Sequence, residues 1–196
     1  KHVGLNVAAD PLYTAAYTGV TGGMVIAVAD DPGMHSSQNE QDSRHHAIAS
    51  KVLMVEPSDS AECKDFVKES FELSEKYDTP VIVRLSTRVS HSQSSVELCE
   101  RENAETKPYV KNPQKYVMMP AFAKARHVFV EERTKKLIEY AETSTLNKIE
   151  LNGGKIGVIT SGIAYQYAKE ALIHGVLDYI LKPINAREMS EVLQKV

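Results

Sequence analysis

The stretch Asp30-Asp31-Pro32-Gly33-Met34-His35-Ser36-Ser37-Gln38-Asn39-Glu40-Gln41-Asp42-Ser43-Arg44-His45-His46 gathers carboxylates, amides, imidazoles and a guanidinium into one loop and the start of a helix. Amides and hydroxyls hold a polar ligand by hydrogen bonds, and a guanidinium grips a carboxylate or phosphate with a planar fork. Such density suits recognition of a polar, anionic ligand. A plainer reading is available for each member. Ser36, Ser37 or Asn39 can cap a helix whose outer face carries Glu40, Asp42 and Arg44. His35, His45 and His46 lack the i, i+4 spacing of a helical zinc site with a third ligand nearby, so no metal is assigned. Lys1 and His2 bring a cation and an imidazole to what reads as a strand end, with a frayed terminus as the equal alternative.

These side chains need a scaffold. Gly23-Met-Val-Ile-Ala-Val-Ala29 is a short apolar run rich in β-branched residues, as in a strand buried on both faces of a parallel sheet, and Asp30-Asp31-Pro32-Gly33 ends it as a turn. A second run, Val52-Leu-Met-Val55, stops before Pro57. Ser58 and Asp59 then offer N-caps, with Glu62 three residues after Asp59 in capping-box register. The helix that follows places Cys63, Phe66, Val67 and Phe71 at helical spacing, and Asp78-Thr79-Pro80 stops it before the run Val81-Ile-Val-Arg-Leu85. Strand, helix and strand make a βαβ unit with an expected right-handed crossover. In open α/β sheets ligands bind where loops and helix N-termini converge beyond the carboxyl ends of the strands, so the loop after the first run is the site expected.

Residues 88 to 120 read as an extended connector, with His91 to Ser95 followed by Pro108, Pro113 and Pro120. A charged helix is expected from Glu131 to Glu142, with Leu137, Ile138 and Ala141 as a narrow apolar face. Asn152-Gly153-Gly154 breaks the chain before Lys155-Ile-Gly-Val-Ile159, a run able to open a second α/β unit. Gly22-Gly23 is not followed by a helix, so it is no phosphate-cradling loop, and the dinucleotide-binding glycine pattern is absent.

The bulk numbers exclude several classes. With 42% hydrophobic residues in 196, the chain can bury a sizeable core as one domain or one and a half. The 26 acidic and 23 basic side chains are intermixed, which argues against nucleic acid. No run of about 18 apolar residues and no leader pattern is found, so no membrane partner and a cytoplasmic location are expected. Cys63 and Cys99 have no metal or disulfide-framework spacing. The opening Lys-His-Val-Gly-Leu-Asn reads as the middle of an element, as in a fragment.

Several strings together resemble the large (alpha) subunit of the indolepyruvate:ferredoxin oxidoreductases. They are Lys-His-Val-Gly-Leu-Asn-Val-Ala-Ala-Asp-Pro from Lys1, Gly-Gly-Met-Val-Ile-Ala-Val-Ala-Asp-Asp-Pro-Gly-Met-His-Ser-Ser-Gln-Asn-Glu-Gln-Asp-Ser-Arg from Gly22, Glu-Pro-Ser-Asp-Ser from Glu56, and Arg-Val-Ser-His-Ser from Arg88. The strings are long and specific, and the resemblance covers roughly four-fifths of the chain.

The resemblance implies a thiamine-diphosphate-dependent enzyme that oxidatively decarboxylates aryl pyruvates with coenzyme A and passes electrons to ferredoxin. It implies magnesium with the cofactor in the complete enzyme, a beta subunit as partner, and iron–sulfur clusters in the parent subunit but not in this chain. The fold implied is a three-layer α/β sandwich with a mostly parallel sheet flanked by helices, a partial thiamine-diphosphate-binding fold, plus a short second α/β unit. Residues 1–90 would form part of the pyrimidine-side domain, 91–152 a connector with the charged helix, and 153–196 the start of the second unit. Lys1, His2, Asp31, His35, Gln38, Asn39 and Arg44 would face cofactor or substrate, with Arg44, Lys1 or His2 offering positive charge to the substrate carboxylate. The family's pyrimidine-activating glutamate lies upstream of Lys1, and the diphosphate domain and cysteine-rich tail are missing, so the isolated chain is expected to be inactive.

The tail departs from this pattern. Tyr167 to Glu188, with Lys182-Pro183 after a run containing Val176, Ile180 and Leu181, resembles the end of a response-regulator receiver, and Asn185 can cap a helix bearing Met189, Val192 and Leu193. A receiver-like signalling module or an inert α/β interaction fragment are the alternatives.

Overall fold

The computed structural model describes residues 1–101, 103, 106–151 and 157–173. Among these residues three strands, β1 (Val25–Asp30), β2 (Leu53–Val55) and β3 (Val81–Ser86), form an open parallel sheet in the order β1-β3-β2. Val25 stands beside Val81 and Asp30 beside Ser86, and Val55 pairs with Val83, so all three strands deliver their carboxyl ends to the same edge. Central β3 is the most buried, with Val81, Ile82 and Val83 at most 1% exposed, and each contributes about 1.5–3 kcal/mol by leaving water.

Helices cover both faces. Against one lie α1 (His2–Val7), α2 (Ala9–Thr18) and α3 (Ser43–Ser50), where Leu5, Leu12, Ala16 and Ala47 close over Val28, Val52 and Ile82. Against the other lies α4 (Ser60–Tyr77), whose Phe66 packs on Val55 and Val83, with Val67 and Leu146 at the margin. This is the three-layer α/β sandwich expected.

Asp59 caps α4, its side chain accepting from the Glu62 amide at 2.8 Å. The Glu62 carboxylate reaches one residue further back than a reciprocal capping box requires, to the Ser58 amide at 2.9 Å. The buried face of α4 also differs from the expected one. Phe71 is exposed, and Ser70, Leu73 and Ser74 turn inward, because small serines let the helix approach the strands closely.

Lys1-His2 does not stand at a strand end. Lys1 is the N-cap of α1, and the pull of Leu5 into the core with Leu12 and Ala16 overrides the β-leaning valines of that segment.

Beyond β3 come α5 (Thr87–His91) and α6 (Pro113–Tyr116). Next, α7 (Pro120–Thr143) begins at a proline in its first turn, well before Glu131, and packs against α2. Its inward residues are Val130, Arg133 and Leu137, whereas Ile138 and Ala141 are exposed. Last is α8 (Ile163–Ile173), preceded by irregular backbone at 157–159 where a strand was expected. Lys155 and Ile156 lie outside the described residues, as do Val176, Ile180, Leu181, Lys182, Pro183, Asn185, Met189, Val192 and Leu193 of the receiver-like tail.

At the amino edge of the sheet α2 and α4 end together. Asp78 closes α4 with φ 53°, and its carboxylate accepts from the Val20 amide at 2.9 Å, Lys115 Nζ at 2.8 Å and Arg126 Nη2 at 3.1 Å. Arg126 also donates to Tyr17 O, while buried Arg133 donates to Asp78 O at 2.7 Å and Ala16 O at 2.9 Å. Three cations thus offset one carboxylate and the negative ends of two helices. Burial and the neighbouring Arg126 charge pull the Arg133 guanidinium down to about 10, opposed by Asp78. Gly19 holds φ 77° against the Asp78 carboxylate, where a Cβ would lie 2.2 Å from Oδ1.

Candidate functional site

The carboxyl edge of the sheet carries a line of charge. Asp30 ends β1, Arg84 sits near the end of β3, and Glu56 follows β2. Arg84 joins them, donating from Nε to Asp30 Oδ2 at 2.6 Å and from Nη1 to Glu56 Oε1 at 2.7 Å. Asp30 is 1% exposed and also accepts from the Ser43 amide at 3.0 Å and the Ser43 hydroxyl, which ties the start of α3 to the sheet. A charge this deep is tolerable only when paired and hydrogen-bonded.

The loop from Asp31 to Asp42 is stapled at both ends. Asp31 is buried, and its carboxylate accepts from the Ser36 amide at 2.7 Å, the His35 amide at 3.1 Å and the Thr87 hydroxyl at 2.8 Å. These bonds, the Ser36 amide foremost and Thr87 next, hold its carboxyl well below the usual carboxylate range. At the other end Asp42 caps α3, accepting from the Arg44 amide at 3.0 Å and from Arg44 Nε and Nη2 at 2.9 and 2.7 Å. The Arg44 side chain is the chief reason that its carboxyl is held down at about 2.

Between this edge and α8 opens a cleft of about 360 Å³. Arg44, Glu56, Arg84 and Ser86 line it from the sheet side, and Thr160 to Ala164 from the other. Gly162 turns the chain into α8 with φ 56°, close to Pro57 O. α8 is held mainly by polar contacts: Gln166 Nε2 donates to Ser58 Oγ at 2.8 Å and Asp59 Oδ2 at 3.2 Å, and Arg88 donates to Tyr167 O–H at 2.6 Å.

Of the residues expected at the site, Arg44 lines the cleft, half exposed, and its Nη1 makes no hydrogen bond among the described residues. Asp31 serves the loop's own backbone. His35, Gln38 and Asn39 are exposed on the loop outside the cleft lining, with Asn39 accepting from Gln41 at 2.9 Å. Lys1 donates to Ser36 O at 3.2 Å. His2 is 1% exposed with neither ring nitrogen bonded among the described residues, and it does not line the cleft.

Sequence reasoning missed Arg84, Glu56 and the Thr160–Ala164 wall. The signal for Arg84 was plain: an arginine inside the run Val81-Ile-Val-Arg-Leu85 must find a carboxylate if the strand is central. The wall comes from far along the chain and had no local signal.

The cleft offers one uncommitted guanidinium edge, hydroxyls and apolar walls, which fits the organic, hydrogen-bonding end of a thiamine cofactor or a 2-oxoacid. Among the described residues no group of three or more acidic, cysteine or histidine side chains is placed to hold a metal ion by itself. No helix among the described residues is long and apolar enough to cross a membrane.

Residues 4–152 match the protein-family model "Pyruvate flavodoxin/ferredoxin oxidoreductase, thiamine diP-bdg". Among curated proteins, the chain is 45% identical over 175 residues to "Indolepyruvate oxidoreductase subunit IorA" of Archaeoglobus fulgidus. It is 46% identical over 175 residues to the protein of that name from Methanothermobacter marburgensis, and 47% identical over 179 residues to that of Pyrococcus horikoshii. Each match covers 88% of this chain, which spans only 28% of the relative's length. No solved structure matches it significantly.

Proposed function

The chain belongs to the pyruvate flavodoxin/ferredoxin oxidoreductase family, within its thiamine-diphosphate-binding part, and from that premise we propose that it is a segment of the large subunit of an indolepyruvate-type enzyme. In this reading the complete enzyme cleaves the C1–C2 bond of an aryl pyruvate, releases carbon dioxide, forms the coenzyme A thioester and passes two electrons to ferredoxin. It works with a beta subunit in the cytoplasm. Thiamine diphosphate, when bound, supplies the carbanion-stabilising chemistry.

This chain's own residues orient and neutralise. Arg84 holds the ends of the three strands in register through Asp30 and Glu56. Asp42 takes the Nε–Nη2 edge of the Arg44 guanidinium and leaves Nη1 without a hydrogen bond among the described residues; in this reading that end meets the substrate carboxylate in the cleft. The Asp31 staple keeps His35, Gln38 and Asn39 on the loop that borders this crevice. Residues 1–90 form part of the pyrimidine-side domain, 91–152 the connector, and 153–196 open the second unit, whose first described helix walls the cleft.

The observation that carries the reading is the half-exposed, half-committed Arg44 at the carboxyl edge of a parallel sheet. Removing a charge-assisted bond worth about 1.5–3 kcal/mol should raise the KM for aryl pyruvate by roughly 10- to 100-fold. We expect this for Arg44→Ala in the complete enzyme, with a smaller effect for Arg44→Lys and little change in the KM for coenzyme A. An unchanged KM for aryl pyruvate would remove Arg44 from substrate binding.

A further inference from the structure

Between Lys107 and Arg126 the sequence holds five cations, Lys107, Lys111, Lys115, Lys124 and Arg126, and no acidic residue, in a chain of formal net charge -3. The stretch also shows large apolar side chains to solvent: Tyr109 is 72% exposed, Val110 68%, Met119 55% and Val117 44%. Exposed hydrophobics scattered singly are ordinary, but a run of them flanked by one sign of charge marks an interaction surface. Three of the cations are occupied at home, Lys107 by Glu75 and both Lys115 and Arg126 by Asp78. Lys111 and Lys124 are exposed and form no ion pair among the described residues.

The same stretch frames a groove of about 380 Å³ between α6 and the first turns of α7. Ala121, Phe122 and Ala125 give it apolar lining, and Asn112, Lys115 and Arg126 give it polar lining. Lys115 and Arg126 bind Asp78, which precedes β3, so the groove lies at the amino edge of the sheet, away from the Arg44 cleft at the carboxyl edge. A protein seated there leaves the cleft open.

We propose that this groove is the docking surface for an acidic segment of the partner subunit, whose carboxylates meet Lys111 and Lys124 while an apolar side chain enters between Phe122 and Ala125. The proposal rests on the subunit reading above. Charges at an interface rim act mainly on association rate and on its salt dependence, because opposite fields steer the encounter. The occupant is therefore recognisable by sign and by salt.

The test uses the complete oxidoreductase with both subunits. A water-soluble carbodiimide joins a lysine amine to a carboxylate in direct contact as an amide, the carbodiimide taking up the released water as a urea. Mass spectrometry should then find Lys111 or Lys124 joined to an Asp or Glu of the partner subunit. In parallel, Lys111→Glu with Lys124→Glu should weaken subunit association about tenfold at low ionic strength, with the difference fading at high salt and turnover at saturating partner unchanged. Links from these lysines that run only within the subunit, to a second copy or to ferredoxin would overturn the assignment, as would association indifferent to the charge reversal. Wild-type subunits that fail to associate at all would instead overturn the subunit reading, and the docking surface with it.

Discussion

Arg84 shows how one side chain can decide whether a site exists. It sits between two carboxylates, Asp30 and Glu56, each shielded from water, and it is the hydrogen-bonding partner they share. Arg84→Met leaves Asp30 only its Ser43 bonds and Glu56 only the more distant Arg44, 3.9 Å away, and should cost about 3–5 kcal/mol, read as a fall in the urea midpoint. A loss below about 1 kcal/mol would show that water reaches Asp30 and that the network is weaker than its geometry. Arg84 was visible in the sequence as a misfit in an apolar run, but its partners were not. Asp30 and Glu56 lie 54 and 28 residues away, and only the parallel register brings them together. His2 failed in the opposite sense: its neighbours suggested a strand, and tertiary packing made a helix.

Acid should act on the same loop. The Asp42 carboxyl is held at about 2, against an ordinary 3.8, by its Arg44 bonds. A folded-state pKa below the unfolded one adds stability that is complete above the ordinary value and disappears as pH falls through the lowered one. Wild type should therefore exceed Asp42→Asn in urea resistance at pH 6, with the gap closing between pH 4 and about 2. A gap of constant size across that range would mean that the Asp42 charge does not matter to the fold. Asp31 has the same sign, so the loop stays fully stapled at neutral pH.

At the scale of elements, the sheet and α4 were legible because local signals agreed: β-branched runs, an N-cap with Glu62 in register, and an Asp-Thr-Pro stop. The same stop conceals a function that sequence could not give. Asp78 gathers cations from α6 and α7, 37 and 48 residues away, onto the end of α4. Asp78→Ala removes their shared acceptor and strains a left-handed position, so a loss of about 2–4 kcal/mol is expected, against a smaller one for Asp78→Asn. Equal losses would assign the whole effect to the carboxylate's charge and none to the left-handed backbone. The helix α8 is the reverse case, with polar anchors and shallow packing. Gln166→Ala should speed amide exchange across 163–171 while leaving the global unfolding midpoint within about 0.5 kcal/mol of wild type. Unchanged exchange would mean that packing, not Gln166, seats the helix.

For the whole molecule, an open sheet with all described strands pointing one way leaves its carboxyl edge as the crevice, and this chain fills that edge with paired charge and one guanidinium, Arg44, held by Asp42 on a single edge. In the proposed reading the described residues serve the organic end of the ligand. The most direct test is amide hydrogen exchange on the complete enzyme, with and without magnesium thiamine diphosphate and then an aryl pyruvate. Protection should concentrate on residues 31–44, 84–88 and 159–166, the two sides of the cleft. Saturation with both ligands that leaves these three stretches unchanged, with protection elsewhere in the subunit, would contradict the account.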